Sequence, residues 1–209
     1  MTRAELISTA IAWADGRTDL EARMDVFLQL VESEIMSGGV GREPLRSREM
    51  EAVAVLTLTD GKAALPVDLE AIQRVSNACG VMRYVPPAFE PDHYLSTNVY
   101  TGPTYPADMA RHTFTIEGSD IIASEPEVTL HYLARPAALV ADDDTHAVLE
   151  RDPGIYLHGL LRQCYLYLVD TDAATMHAAE FATAITAANG RAARARMPEE
   201  GAGIPLGPL

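Results

Sequence analysis

The stretch Asp152-Pro-Gly-Ile-Tyr-Leu-His-Gly-Leu-Leu-Arg-Gln-Cys-Tyr-Leu-Tyr-Leu-Val169 predicts one helix with a defined start. Asp152 is a residue type that caps helices, and Pro153 fits the first turn, where its missing N–H is not needed. Gly159 lies in the middle at a cost of about 1 kcal/mol relative to alanine, which indicates close approach of another backbone. The apolar residues that recur on one helix face are Leu157, Leu160, Leu161, Cys164 and Leu168. This face is therefore expected to pack against a core.

The chain has 209 residues, of which 48% are hydrophobic, so it can bury one core or two small ones. The formal net charge is -14 and the sequence pI is about 4.7. Such a balance argues against a non-specific nucleic-acid binder, whose affinity comes from lysine and arginine on phosphates.

The cysteines and the hydropathy pattern indicate the cellular compartment in which the protein is made. Cys79 and Cys164 fall at a strand end and on an apolar helix face, so we expect ordinary buried thiols and no disulfide. There is no apolar run of about 18 residues and no basic-then-apolar start of a signal peptide. These features predict a soluble protein made in a cytoplasm, with no membrane partner.

The N-terminal region predicts two amphipathic helices. Thr2 with Glu5, and Thr18 with Glu21, have the spacing of a capping box. The second helix should end at Ser37-Gly38-Gly39, where glycine can adopt a left-handed conformation. The residues expected to be buried are Leu6, Ile7, Ala10 and Ile11 in the first helix, and Met24, Phe27, Leu28, Val31 and Ile35 in the second.

The middle of the chain has β-type patterns. Val53 to Leu58 leads into Asp60-Gly61, a strong hairpin dipeptide, and Ala63 to Leu65 follows. Further β segments are 72–78, 81–85, 113–116, 121–123 and 128–133. A small antiparallel β unit is expected.

A long loop at 86–111 contains five prolines and four spaced aromatic residues: Phe89, Tyr94, Tyr100 and Tyr105. Long loops in compact proteins are usually functional or disordered. The aromatic residues fit a surface buried against a tail protein or a neighbouring subunit, although a loop folded over its own sheet is equally compatible with the pattern.

Helical patterns return at 146–151, continue through the Pro153 helix and end in an alanine-rich helix from Asp172 to about Met197. Arg191, Arg194 and Arg196 at its end either complement the helix dipole or dock on another subunit. The segment 198–209 alternates glycine and proline and is expected to be an extended tail. Its apolar anchors are Ile204, Leu206 and Leu209.

The order of elements predicts an α+β protein. Residues 1–46 and 138–197 would form an antiparallel helical bundle, 47–137 an inserted β domain, and 198–209 the C-terminal tail.

No motif indicates chemistry. Asp142-Asp143-Asp144-Thr145-His146 lacks the ligand spacing of an EF-hand, and a solvated loop capping the next helix is the preferred interpretation. His177 and Glu180 have the reverse order of a di-iron pair. We therefore expect no catalytic residue, no cofactor and no metal. The alternatives to a structural protein are a helical-bundle metal-dependent hydrolase and a small chaperone or regulatory binding module.

Four segments in order resemble the head-to-tail adaptor (connector) proteins of tailed bacteriophages, of the short-tailed-phage type. They are Leu45 to Glu51, Thr59-Asp60-Gly61, Leu65 to Leu69 and Pro153 to Gly159. The resemblance implies a helical bundle with an inserted β domain, in which Leu45 to Glu51 crosses into the sheet and Pro153, Tyr156 and Gly159 pack in the bundle.

The same resemblance implies a ring, expected to be a dodecamer, that binds the portal protein above and a tail or nozzle protein below in the virion neck. DNA would pass through without specific binding, and an acidic channel would repel it. Assembly would take place in the host cytoplasm. The portal contact would involve Arg191, Arg194, Arg196, Met197, Ile204, Leu206 and Leu209.

Overall fold

The computed structural model describes residues 1–39, 42–86 and 113–196, and the chain divides into two units. The helical unit combines Met1–Met50 with the segment that begins at Pro136, and the sheet unit is Glu51–Arg135. The α+β prediction is confirmed, because the described residues contain five α-helices and two sheets.

The α-helices are α1 (Arg3–Trp13), α2 (Met24–Ser37), α3 (Ala147–Arg151), α4 (Pro153–Tyr167) and α5 (Thr171–Arg196), and 3₁₀ turns cover Thr18–Arg23 and Arg48–Met50. The long pair α4 and α5 is joined by a short turn and is antiparallel, and α1 and α2 pack on α4. Leu160, Leu161 and Phe181 are fully buried between these helices. The predicted apolar face of α4 is confirmed up to Cys164, whereas Leu168 lies just beyond the end of the helix and is half-buried.

The first helix begins as predicted. The Thr2 hydroxyl accepts from the Glu5 N–H at 3.3 Å, and the Thr2 N–H donates to the Glu5 carboxylate at 2.9 Å. The capping box at Thr18 is wrong, because this segment is a 3₁₀ turn that has no side-chain cap. Burial of Leu20, which is fully inaccessible, outweighs the local pattern and tightens the turn. The second helix ends at Ser37, before a left-handed Gly38, as predicted.

The predicted cap at Asp152 is also wrong. The chain breaks between α3 and α4 at this residue, whose φ and ψ are -130° and 59°, and its side chain makes no capping hydrogen bond. The carboxylate instead forms an ion pair with Arg191 on α5. The backbone conformation of Asp152 is not the extended one that capping residues adopt, and its carboxylate is engaged by the Arg191 guanidinium.

The strands of the sheet unit are β1 (Glu51–Thr57), β2 (Lys62–Ala64), β3 (Leu69–Asn77), β4 (Gly80–Val81), β5 (Arg83–Tyr84), β6 (Thr113–Glu117), β7 (Asp120–Ala123) and β8 (Glu127–Ala134). One sheet has the order β1-β8-β3-β4 and the other β2-β7-β6-β5. Pairing is antiparallel except for the two-residue β5, which is parallel to β6. The Asp60-Gly61 turn is formed with φ of 53° and 77°, as expected of this hairpin dipeptide.

A shared apolar core joins the two sheets. Val75, Val128 and Leu130 of one sheet and Phe114 and Ile121 of the other belong to it. On β1 the side chains alternate, and the outward-facing Val53 and Val55 are exposed.

Cys79 corrects another expectation, because it is exposed and not buried. It lies in the tight turn between β3 and β4, where its N–H donates to Asn77 Oδ1 at 2.9 Å. A turn of this kind holds the side chain away from the core. In the part of the chain that is described, no helix is both long and apolar enough to cross a membrane.

Candidate functional site

Pro153, Tyr156 and Gly159 lie along α4 in the helical unit. Pro153 is at the helix start, and Tyr156 is only 2% exposed. A Cβ atom on Gly159 would lie 2.7 Å from Val31 Cγ1 and 3.4 Å from Phe181 Cε2. The group that approaches Gly159 is therefore a side chain, and not the backbone that the sequence indicated.

The segment Asp142 to His146 was predicted to cap the next helix, and its last residue, His146, caps α3. Its Nδ1 accepts from the Leu149 N–H at 3.2 Å, and its Nε2 lies 3.1 Å from the Tyr156 hydroxyl. Because Nδ1 acts as an acceptor, the ring is neutral and carries its proton on Nε2. Burial lowers the pKa of His146 and raises that of Tyr156. The predicted solvated loop before this helix therefore ends in a histidine cap.

A second histidine contact joins α4 and α5. The Nδ1 atoms of His158 and His177 are 3.1 Å apart, and Tyr165 stacks on His177 at 5.4 Å between ring centroids. Only one of the two Nδ1 atoms can carry a proton in this contact. Burial, together with the neighbouring His158, lowers the pKa of His177.

The described residues contain no group of three or more histidine, cysteine or acidic side chains that could hold a metal. Burial raises the pKa of the Cys164 thiol to about 11, which disfavours the nucleophilic thiolate. Cys79 is exposed, and its N–H and that of Gly80 both donate to Asn77.

The segment that leads from α2 into the sheet unit is fixed by Asn189 of α5. Its amide donates to the Pro44 carbonyl at 3.0 Å and accepts from the Arg46 N–H at 2.7 Å. Leu45, between these two residues, is 2% exposed and donates its N–H to Ile35. The sequence gave no signal for this role, because an asparagine on an alanine-rich helix resembles any surface position.

Arginines converge at this end of the helical unit. Arg191 is ion-paired with Asp152, and Arg151 with Glu49 at 3.1 Å. Arg194 and Arg196 are exposed at the end of α5. The two arginines of the entering segment, Arg46 and Arg48, are also exposed and flank the buried Ser47; we call them the crossing arginines. Among the described residues, no carboxylate lies within ion-pairing distance of either one.

A partly buried charge network holds the middle of the helical unit. Glu34 of α2 pairs with both Arg42 and Arg162, and the Arg42 guanidinium lies 4.7 Å from the centre of the Phe181 ring. Burial lowers the pKa of Arg42. The network connects three helices, so its charged groups stabilise the packing of the helical unit.

Exposed apolar side chains lie at the end of α4, in the turn that follows it and at the end of α1. They are Trp13, Leu166, Tyr167 and Val169, and together with the carboxylates of Asp15, Asp170 and Asp172 we call them the Val169 patch. The Tyr165 hydroxyl donates to the Trp13 carbonyl at 3.2 Å, which joins the end of α1 to this turn. Burial, followed by the charges of Asp15 and Asp170, raises the pKa of Tyr165, so both carboxylates lie near it.

Several predicted contact residues lie outside the described residues: Phe89, Tyr94, Tyr100, Tyr105, Met197, Ile204, Leu206 and Leu209. Of the predicted surface residues, the structure therefore places only the three arginines of α5.

The family model described as SU10 adaptor protein matches residues 1–202, nearly the whole chain. None of the curated proteins matches the chain. The match runs through both units and includes all four segments on which the resemblance was based. The chain belongs to the SU10 adaptor protein family, a family of phage head-to-tail adaptors, and the resemblance drawn from its sequence is thereby confirmed at family level.

Proposed function

We propose that this chain is the subunit of a non-enzymatic adaptor ring, a dodecamer, that joins the portal to the tail in the virion neck of a short-tailed phage. The observation that carries the proposal is the family match over residues 1–202. It favours the adaptor over the metal-dependent hydrolase and the chaperone. Synthesis and assembly in the host cytoplasm are part of the proposal.

The portal contact is assigned to the end of α5 and the tail that follows it. Arg194 and Arg196 are exposed there, and the apolar anchors Ile204, Leu206 and Leu209 follow in sequence. Arg191 receives a different role from the one predicted, because Asp152 already engages its guanidinium. It fixes the end of the helix from which the contact extends.

The contact with the tail protein or a neighbouring subunit is assigned to Phe89, Tyr94, Tyr100 and Tyr105. Aromatic residues supply large contact area at interfaces for little loss of conformational entropy. The net charge of -14 supports a channel that repels DNA, since passage is impeded by attractive arginine and lysine contacts.

Electron microscopy of the full chain mixed with the portal protein tests the proposal. We expect a ring of adaptor subunits on the portal, and a portal that stays bare would contradict the assignment. Deleting 198–209 should abolish this decoration of the portal and leave the helical circular-dichroism signal intact.

A matched pair of variants separates apolar anchoring from charge. Changing Ile204, Leu206 and Leu209 to serine should abolish binding to the portal, whereas changing Glu199 and Glu200 to glutamine should not. A channel lined by arginines in the resulting reconstruction would contradict the repulsive channel.

A further inference from the structure

We propose that the Val169 patch of one copy docks on the crossing arginines of a second copy. This interface rests on the proposed ring and names the surfaces through which neighbouring subunits would meet.

The first observation is a strained and exposed valine. Val169 has a φ of 60°, in the left-handed region, and is 82% exposed. This conformation costs an L-residue roughly 1–2 kcal/mol, and β-branched side chains adopt it rarely. Glycine or asparagine would relieve the strain. Because so little of the Val169 side chain is buried, packing within the chain does not offset the free-energy cost of this conformation. Burial of the side chain against a partner would offset it.

The second observation is the composition around Val169. Trp13 is 54% exposed, Tyr167 50% and Leu166 47%. Large aromatic residues at the surface, surrounded by charged groups, are typical of protein interfaces. The carboxylates at the border of this patch are Asp15, Asp170 and Asp172, and Asp170 also caps α5 by accepting from the Ala173 N–H at 3.0 Å. Arg17 lies near Asp15 and Tyr167 as well, but its guanidinium is already paired with Asp19.

The occupant is chosen by charge complementarity. Arg46 and Arg48 project on either side of the buried Ser47 and have no carboxylate partner among the described residues. Guanidinium groups bind carboxylates through paired hydrogen bonds and also stack on aromatic rings, so they complement both components of the patch. Nucleic acid is disfavoured as their partner, because a chain with a net charge of -14 repels phosphates.

The positions of the two surfaces fit a ring. The patch lies at the start of α5, and the crossing arginines lie beside Asn189 of the same helix. Asn189 is eighteen residues after Thr171, the first residue of α5, which corresponds to about 27 Å at 1.5 Å per residue. Two different complementary surfaces on one chain make a heterologous contact, which generates closed rings when the rotation between copies closes.

Charge exchange between two variants tests the pairing. One variant carries Arg46→Glu and Arg48→Glu, and the other Asp15→Arg and Asp172→Arg. Each alone should lose self-association in sedimentation experiments at low salt and should be retained in fewer copies per portal ring. A mixture of the two variants should recover both self-association and the native number of copies per portal ring. In the mixture each acidic surface of one variant meets a basic surface of the other.

A control with the same charge change is Lys62→Glu with Arg83→Glu, two exposed positions on the sheet unit. It should assemble as the native chain does, and thermal melting checks that every variant is folded. Native assembly by either exchanged variant alone, failure of the mixture to recover, or retention of the basic variant by DNA in place of a second copy would overturn the interface.

Val169→Gly gives a second test in which two effects have opposite signs. The isolated chain should melt at a higher temperature because the strain is removed, while self-association should weaken by about tenfold or more. Val140→Ser, at another exposed valine with no positive φ, should change neither. Unchanged association of Val169→Gly would overturn the interface.

Failure of this interface and failure of the proposed function can be told apart. Native copy number on the portal for all these variants would contradict the interface and leave the adaptor function standing. Self-association that follows the charge rules, with no retention on the portal, would support the interface and contradict the portal assignment.

Discussion

Gly159 on α4 lies directly against Val31 on α2, so that a Cβ atom on Gly159 would lie only 2.7 Å from Val31 Cγ1. Val31 is fully buried and its helix is held by the Glu34 network, so neither residue can move aside easily. The glycine sets the distance between the two helices.

Gly159→Ala is therefore expected to lower the free energy of unfolding by about 1–3 kcal/mol, the usual cost of overpacking a core. Gly154→Ala, in the same helix, is the matched control, because its nearest new contact is His158 Cδ2 at 4.0 Å. Gly190→Ala has no atom within 4 Å and should stabilise α5 by up to about 1 kcal/mol. Urea unfolding curves measure all three, and equal effects at Gly154 and Gly159 would contradict the close approach.

Asn189 is expected to be needed for the position of the entering segment. Asn189→Ala removes two hydrogen bonds, to Pro44 and Arg46, and should cost about 1–2 kcal/mol at roughly 1 kcal/mol each. Amide exchange at Arg46 should accelerate in the same variant. Thr186→Ala is the control on this helix, because its hydroxyl bonds only to the Ala182 carbonyl. Unchanged exchange at Arg46 would show that the bond is not made.

Stability should fall in mild acid. His146 and His177 both have a pKa lowered in the folded chain, mainly by burial, from the ordinary value of 6.5. The unfolded chain therefore takes up protons at higher pH than the folded chain does. The contribution of these histidines to the stability of the folded chain is fully present above pH 6.5. It is lost as the pH decreases through that value toward the lowered pKa values of the folded chain.

Melting temperatures measured from about pH 7.5 to about pH 5 check this dependence. His146→Asn keeps a side-chain acceptor for the α3 cap and cannot become charged, so its curve should be flatter than the native one. His177→Gln should flatten it further by removing the second buried ring. A native curve without slope in this range would contradict the assignment.

The two thiols should differ in reactivity. Cys79 is exposed and should react with a thiol reagent in the native chain, whereas Cys164 is buried and its pKa is raised to about 11 by burial. Colorimetric titration should find one fast thiol per native chain and two after unfolding. Cys79→Ser should abolish the fast reaction, and a fast reaction that persists in it would show that Cys164 is accessible.

Local patterns in the sequence determined most of the elements. The periodicity of α4, the capping box at Thr2 and the Asp60-Gly61 turn were all found as expected, because each depends on residues within a few positions of one another. The same holds for the series of short motifs that identified the adaptor family.

Tertiary structure decided which local signals were overridden. Thr18 lies in a 3₁₀ turn around the buried Leu20 and does not cap, and the carboxylate of Asp152 pairs with Arg191, thirty-nine residues away, without capping α4. The Asn189 contacts, the hydrogen bond between His146 and Tyr156 and the strain at Val169 have no sequence signature. Each of these features depends on atoms that become neighbours only when distant segments fold together, and a one-dimensional pattern does not contain those distances.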